Sequence, residues 1–161
     1  PALALDAHQE LAALTSFMAA LPQNVLPPSV DPAAPLDPQL VLDFDTRSPA
    51  AANELDELVR DVWLRNPVMR SPASRELKSL VDSLQLRPAP TVFDVDQRDD
   101  AAALVPLLHR LTGIPELPIL LVGGTPLGDL AAVRSLDLKA LAERAGAAPA
   151  SARKKKKKGR R

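Results

Sequence analysis

The sequence predicts an α/β fold: a small mixed sheet flanked by helices, preceded by an N-terminal helix and a proline-rich arm. Three observations lead there. From residue 67 onward, short apolar runs alternate with segments whose leucines recur every three or four residues, giving the order β-α-β-α-β-β-α. Gly123-Gly124 between two short apolar runs reads as a hairpin turn, because adjacent glycines supply the positive φ angles such a turn demands. Seven of the 17 prolines crowd into residues 22–49, a density that favours extended chain. With 161 residues, one modest core plus tails is the ceiling.

Taken in order, Leu3, Ala7, Leu11, Leu14, Met18 and Leu21 trace one face of an amphipathic helix that Pro22 ends. Residues 22–38 read as a linker or wrapping arm, and Leu40 to Phe44 as a short strand able to pair with a sheet edge. Ser48-Pro49 starts a helix, serine capping an orphan N–H and proline needing none. Leu55, Leu58, Val59 and Val62 form its buried stripe, with Trp63 at the margin. Val68-Met69 is a very short extended piece, and Ser71-Pro72 repeats the cap-and-proline start for a helix burying Leu77, Leu80, Val81 and Leu84. Thr91 to Val95 reads as a strand, and 99–112 as a helix with Leu104, Leu107, Leu108 and Leu111 inward, ended by Gly113. Strands at Ile119 to Val122 and Thr125 to Leu127 flank the glycine turn, and short helices at about 129–135 and 137–145 end at Gly146. The expected division is a helix and arm over 1–47, a folded domain over 48–148, and a disordered polybasic tail over 149–161.

Charge is distributed unevenly. Eight of the 20 Lys and Arg residues lie in the nine residues Arg153 to Arg161, where no acid occurs. Residues 1–152 therefore hold 12 cations against 20 anions, an acidic body with a basic tail that the neutral total conceals. There is no cysteine, which excludes disulfides, thiolate nucleophiles, dithiol cycling and sulfur ligation of zinc or iron–sulfur clusters. No apolar run approaches the roughly 18 residues needed to span a bilayer, so a soluble chain is expected. The first residue is Pro1 rather than methionine, so a trimmed or processed chain is expected.

The strand and helix succession, with Asn66-Pro67-Val68, Ser71-Pro72-Ala73-Ser74, Phe93-Asp94-Val95-Asp96, Leu111-Thr112-Gly113, Leu117-Pro118 and Val122-Gly123-Gly124-Thr125-Pro126-Leu127-Gly128, resembles the thioredoxin fold, and more closely the glutaredoxins, over about residues 55–146. Within that family it looks most like the fungal monothiol class with a helix before the first strand, whose members are anchored in the early secretory pathway. The resemblance implies a cis proline at Pro118, an active-site motif at Ser71 to Ser74, and a glutathione-dependent disulfide oxidoreductase. It also implies an endoplasmic reticulum or Golgi location.

The departures bear on chemistry. The family nucleophile is a cysteine at a helix N-terminus, where the dipole lowers its pKa from about 8.5. Ser71 stands there and Ser74 at the resolving position, and a hydroxyl forms neither a mixed disulfide nor a cluster ligand. The family's acidic glutathione grip is replaced by Gly128-Asp129-Leu130-Ala131-Ala132, leaving Asp129 as a substitute one turn early. The strand before the motif is also shortened, running from Met69-Arg70 directly into Ser71, and Leu40 to Phe44 is an alternative strand for the sheet. Ser71, Leu117, Pro118, Gly128 and Asp129 are therefore the expected ligand-binding residues of a degenerate groove. No catalytic residue, metal ligand or iron–sulfur cluster is expected, and the ligands expected of the groove are weakly held glutathione, an extended peptide or another thiol-free molecule.

Plainer readings stand beside these. Ser71 also suits a simple helix cap. A serine hydrolase is disfavoured, since no Gly-x-Ser-x-Gly elbow exists and His109 lies within a helix. Asp94, Asp96, Asp99 and Asp100 lack the ligand alternation of a calcium loop and read as a strand end and helix cap. His8 and His109, far apart in sequence, do not suggest a metal pair. The tail would attract anionic membrane, an acidic protein or nucleic acid without regard to sequence, or serve only as a counterweight to the acidic body. With four aromatics and no tyrosine, base-stacking recognition is disfavoured. Three functions follow for test: a redox-inactive groove for a peptide or protein partner, the family's oxidoreductase activity, and a structural domain targeted by its tail.

Overall fold

A computed structural model describes residues 3–70, 75–115, 119–127 and 138–149. The protein is a mixed α/β chain whose described residues fall into two compact units, one from 3–63 and 95–115, the other from 64–94 and the described residues after 115.

The first unit is helical. Helix α1 (Ala7–Ala20) opens with a capping box: Gln9 N–H donates to Asp6 Oδ1 at 2.8 Å, and Asp6 N–H donates to the Gln9 side chain at 3.0 Å. Leu11, Ala12, Ala13, Leu14 and Met18 are buried, whereas Ala7 is exposed and Leu21 lies 49% exposed beyond the helix end. The alanines, silent in a count of large apolar residues, form part of the buried face.

Residues 40–44 are not a strand. Asp37 and Pro38 act as N-cap and first helical residue, so the backbone closes a helical turn, α2 (Pro38–Val41), against the β propensity of the segment. Val41 and Leu42 are buried and Leu40 is exposed. Helix α3 (Ala51–Arg65) starts two residues after Pro49; Ser48 Oγ accepts from Ala50 N–H at 3.2 Å and its carbonyl accepts from Ala51 N–H. Ala51, Leu55, Val62 and Trp63 are buried and Leu58 and Val59 only half-buried, so the stripe is rotated toward Trp63. A 3-10 turn at Val95–Gln97 leads to helix α5 (Ala101–Thr112), with Leu104, Leu107, Leu108 and Leu111 inward as the periodicity requires. Gly113 ends it at φ 71°, its N–H donating to the His109 carbonyl.

The arm lies against these helices through two arginine clasps. Glu10, 2% exposed, accepts from Arg110 through both carboxylate oxygens at 2.7 and 3.3 Å and from Leu36 N–H at 2.8 Å. Arg110 also donates to the carbonyls of Pro32 and Ala34. Asp100 accepts from Leu26 N–H and, through both oxygens, from Arg98, which also donates to the Asn24 carbonyl. An arm without a ladder must satisfy its buried backbone groups elsewhere, and these side chains do so.

The second unit carries a four-stranded mixed sheet whose strands lie in the spatial order 91–92, 68–70, 120–122, 125–127. Its strands are β1 (Val68–Arg70), β3 (Thr91–Val92), β4 (Leu120–Val122) and β5 (Thr125–Leu127). Strand β1 is central, parallel to β3 and antiparallel to β4, so the sheet is completed by 68–70 and not by 40–44. β3 is two residues long; Asp94 leaves the ladder and Val95 enters the 3-10 turn, shortening the expected strand 91–95. Helix α4 (Arg75–Asp82) packs Leu77 and Val81 with Val68, Leu120 and Val122, and Ala142 of helix α6 (Leu138–Arg144) joins the same cluster. Leu80 and Leu84 are partly buried at its rim. A separate two-stranded ladder joins β2 (Leu86–Arg87) to β6 (Ala148–Pro149), a pairing with no local sequence signal.

Candidate functional site

The hairpin between β4 and β5 turns on Gly123 (φ 58°) and Gly124 (φ 79°), both left-handed as expected of a primed turn. Gly123 N–H donates to the Pro67 carbonyl at 2.8 Å, tying the turn to the chain entering β1. A Cβ at Gly123 would meet the Ala145 Cβ at 3.3 Å, so close approach also keeps this position small.

Register then brings four strand ends together. Arg70, last in β1, pairs with Val92, last in β3, and with Leu120, first in β4. Leu120 pairs with Leu127, last in β5. The chain thus leaves the sheet after Arg70, enters it before Leu120 and leaves it after Leu127 at one sheet end. Ser71, Ser74, Leu117, Pro118, Gly128 and Asp129 all lie outside the described residues, as does the bond into Pro118; Arg70 directly precedes the first of these segments, Ile119 directly follows the second, and Leu127 directly precedes the third. Among the described residues the cis peptide is Arg87–Pro88.

Sequence reasoning passed over Arg70. It is 6% exposed, and its Nη1 is buried without a hydrogen-bond partner among the described residues. The signal was present: a cation closing a strand whose other residues are apolar, in step with Val68 at the two-residue period.

The acidic run divides. Asp94, Asp96 and Asp99 are exposed, whereas Asp100 is buried; it occupies the N-cap position of α5 but makes no side-chain cap bond, its carboxylate serving Leu26 and Arg98 instead. Burial raises the Asp100 pKa, and the Arg98 and Leu26 hydrogen bonds with the Arg98 charge outweigh it, holding the carboxyl below its ordinary value. His8 lies against Trp63, ring centroids 5.9 Å apart, and His109 Nδ1 is 2.8 Å from the Ile114 carbonyl. Among the described residues no group of three or more His, Asp or Glu is arranged to hold a metal ion, and no helix is long and apolar enough to cross a membrane. The chain matches no known protein-family model and no curated protein.

Proposed function

We propose that this chain is a glutaredoxin-like binding module of thioredoxin fold whose groove holds a peptide or glutathione-like ligand without redox chemistry. The observation that supports it is the sheet register: Arg70 and Leu127, adjacent in sequence to Ser71 and Gly128, and Leu120, two residues after Pro118, stand side by side at one sheet end. A parallel β1/β3 pair joined through α4, followed by an antiparallel hairpin on two left-handed glycines, supports the same family reading. Ligands of open α/β sheets gather beyond the carboxyl ends of strands, where this end lies for β1 and β3.

The complete absence of cysteine sets this reading against the family's oxidoreductase activity, since serine offers neither a thiolate nor a leaving group for disulfide exchange. Titration of reduced and oxidised glutathione at millimolar concentration, followed by chemical-shift perturbation, tests it. Shifts confined to the segments around Ser71, Leu117, Pro118 and Asp129 are expected. No shifts in a well-dispersed spectrum would sink the groove, and reduction of hydroxyethyl disulfide by the purified chain would sink its redox inactivity.

A second reading rests on the eight cations among Arg153 to Arg161: the tail tethers the domain to an anionic membrane surface or an acidic protein. The early secretory pathway follows from the family resemblance and is tested by imaging the chain with and without residues 153–161.

A further inference from the structure

We propose that the first unit carries a peptide-binding surface made by two matched arginine–carboxylate pairs on and beside helices α1 and α5. The proline-rich arm is its built-in occupant, and an extended, leucine-anchored, proline-bearing segment of a partner protein takes the arm's place. This surface lies within the first unit and does not depend on the groove assigned to the second.

The two clasps share one pattern, atom for atom. In the first, Leu26 N–H donates to Asp100 Oδ2 at 2.8 Å, and Arg98 Nη2 donates to that same oxygen at 3.2 Å. Arg98 Nη2 donates as well to the carbonyl of Asn24, two residues before the leucine. In the second, Leu36 N–H donates to Glu10 Oε1 at 2.8 Å, and Arg110 Nη2 donates to that oxygen at 2.7 Å. Arg110 Nη2 donates again to the carbonyl two residues before the leucine, that of Ala34. Both leucines are buried, while Val25 and Pro35 between the paired groups are exposed. An extended chain turns the C=O of one residue and the N–H of the second residue after it to the same side, where an adjacent strand would engage both. Each arginine–carboxylate pair supplies a donor and an acceptor in place of that strand.

Such recognition tolerates sequence change. The groups held are main-chain atoms, and among residues 22–37 the buried residues are Leu26 and Leu36. Main-chain bonds with two side-chain anchors are the means by which proteins bind extended peptides. The surface also stays intact without its occupant. Each carboxylate meets its arginine through two oxygens, so departure of the arm leaves no unpaired charge behind. The arm has no ladder to hold it in place. A partner segment fits when it carries leucines spaced as Leu26 and Leu36 are, each with a free N–H, and prolines between them that lessen the entropy lost on ordering.

Two measurements on the full chain test this. Hydrogen exchange of the wild type should show the Leu26 and Leu36 amides opening at least about tenfold more readily than those of Leu107 and Leu108 in α5, the arm leaving while the helices stay folded. Leu26→Ser with Leu36→Ser removes the anchors and keeps both ion pairs. This double variant should bind a labelled peptide of residues 22–38 at least about tenfold more tightly than the wild type, whose own arm competes. The same peptide with serine at both leucine positions should bind at least about tenfold more weakly, whereas Val25→Ala with Pro35→Ala in the peptide should keep the affinity within about twofold.

Equal protection of the arm and α5 overturns the proposal, and that measurement decides even where the double variant does not fold. A folded double variant that ignores the peptide overturns it too. Binding lost on Val25→Ala with Pro35→Ala overturns recognition through the main chain. A wild-type dimer that the double variant abolishes assigns the exchanged occupant to a second copy of this chain and overturns the separate partner.

Discussion

Arg110 and Glu10, a hundred positions apart, form a two-oxygen ion pair with the shorter contact at 2.7 Å, and the same arginine holds the carbonyls of Pro32 and Ala34. One side chain on α5 therefore fixes α1 and the proline-rich arm together. Glu10 is buried, so removing its partner leaves an uncompensated carboxylate. Arg110→Met should cost about 3 kcal/mol, the lower end of the range for breaking a buried pair because Arg110 retains some solvent contact. Glu10→Leu combined with Arg110→Met should recover part of that loss. Urea denaturation of the single and double variants checks this, and additive losses would show that the pair is not coupled.

The second clasp sets an acid limit. Asp100 has a folded-state pKa below its unfolded value, because Arg98 and the Leu26 N–H favour the carboxylate more than burial penalises it. A depressed pKa gives stability that is fully present above the unfolded value of about 3.9 and is lost as pH falls through the folded value. Unfolding midpoints measured from pH 7 downward should therefore fall below about pH 4, and Asp100→Asn should flatten that limb while lowering the plateau. An acid limb of unchanged steepness in the variant would remove Asp100 as its source.

These clasps mark what could be read beforehand. Helix α5 and the glycine hairpin were legible because leucine spacing and paired glycines are local signals. The strand expected at 40–44 failed because Asp37-Pro38, a strong helix start, outweighed the propensity of Leu40 to Phe44. The pairings Glu10–Arg110 and Leu86–Pro149 join residues with no shared local pattern, so nothing in either segment announced the other. Arg70 was overlooked for a related reason: its burial depends on Leu120 and Val122 arriving opposite β1, fifty residues later.

The glycines separate conformational from steric cost. Gly113 and Gly123 both have positive φ, at 71° and 58°, but a Cβ at Gly113 meets nothing within 4 Å whereas one at Gly123 meets Ala145. Gly113→Ala should cost about 1 kcal/mol, the left-handed penalty alone. Gly123→Ala should cost more, since the hairpin or helix α6 must also shift. Gly113→Asn should be close to neutral, as asparagine tolerates the left-handed helix end. Thermal unfolding of the three variants checks the order, and equal losses for the two alanine variants would exclude the Ala145 contact as a contributor.

The tail offers a prediction that the folded units do not enter. Eight cations without an acid between Arg153 and Arg161 should bind vesicles containing phosphatidylserine, with about 1 kcal/mol per residue near the surface. Raising salt from about 0.1 to 1 M shortens the screening length from about 10 to 3 Å, so the association should be largely lost across that range. Deleting residues 153–161 should abolish it and leave the urea midpoint unchanged, because the clasps and the apolar cluster around Val68, Leu77 and Leu120 lie elsewhere in the chain. The acidic body makes the expectation sharper: with 20 anions against 12 cations, the truncated chain should be repelled by the same vesicles. Sedimentation with vesicles at both salt concentrations measures this, and binding that survives the deletion would place the membrane contact on the folded body instead.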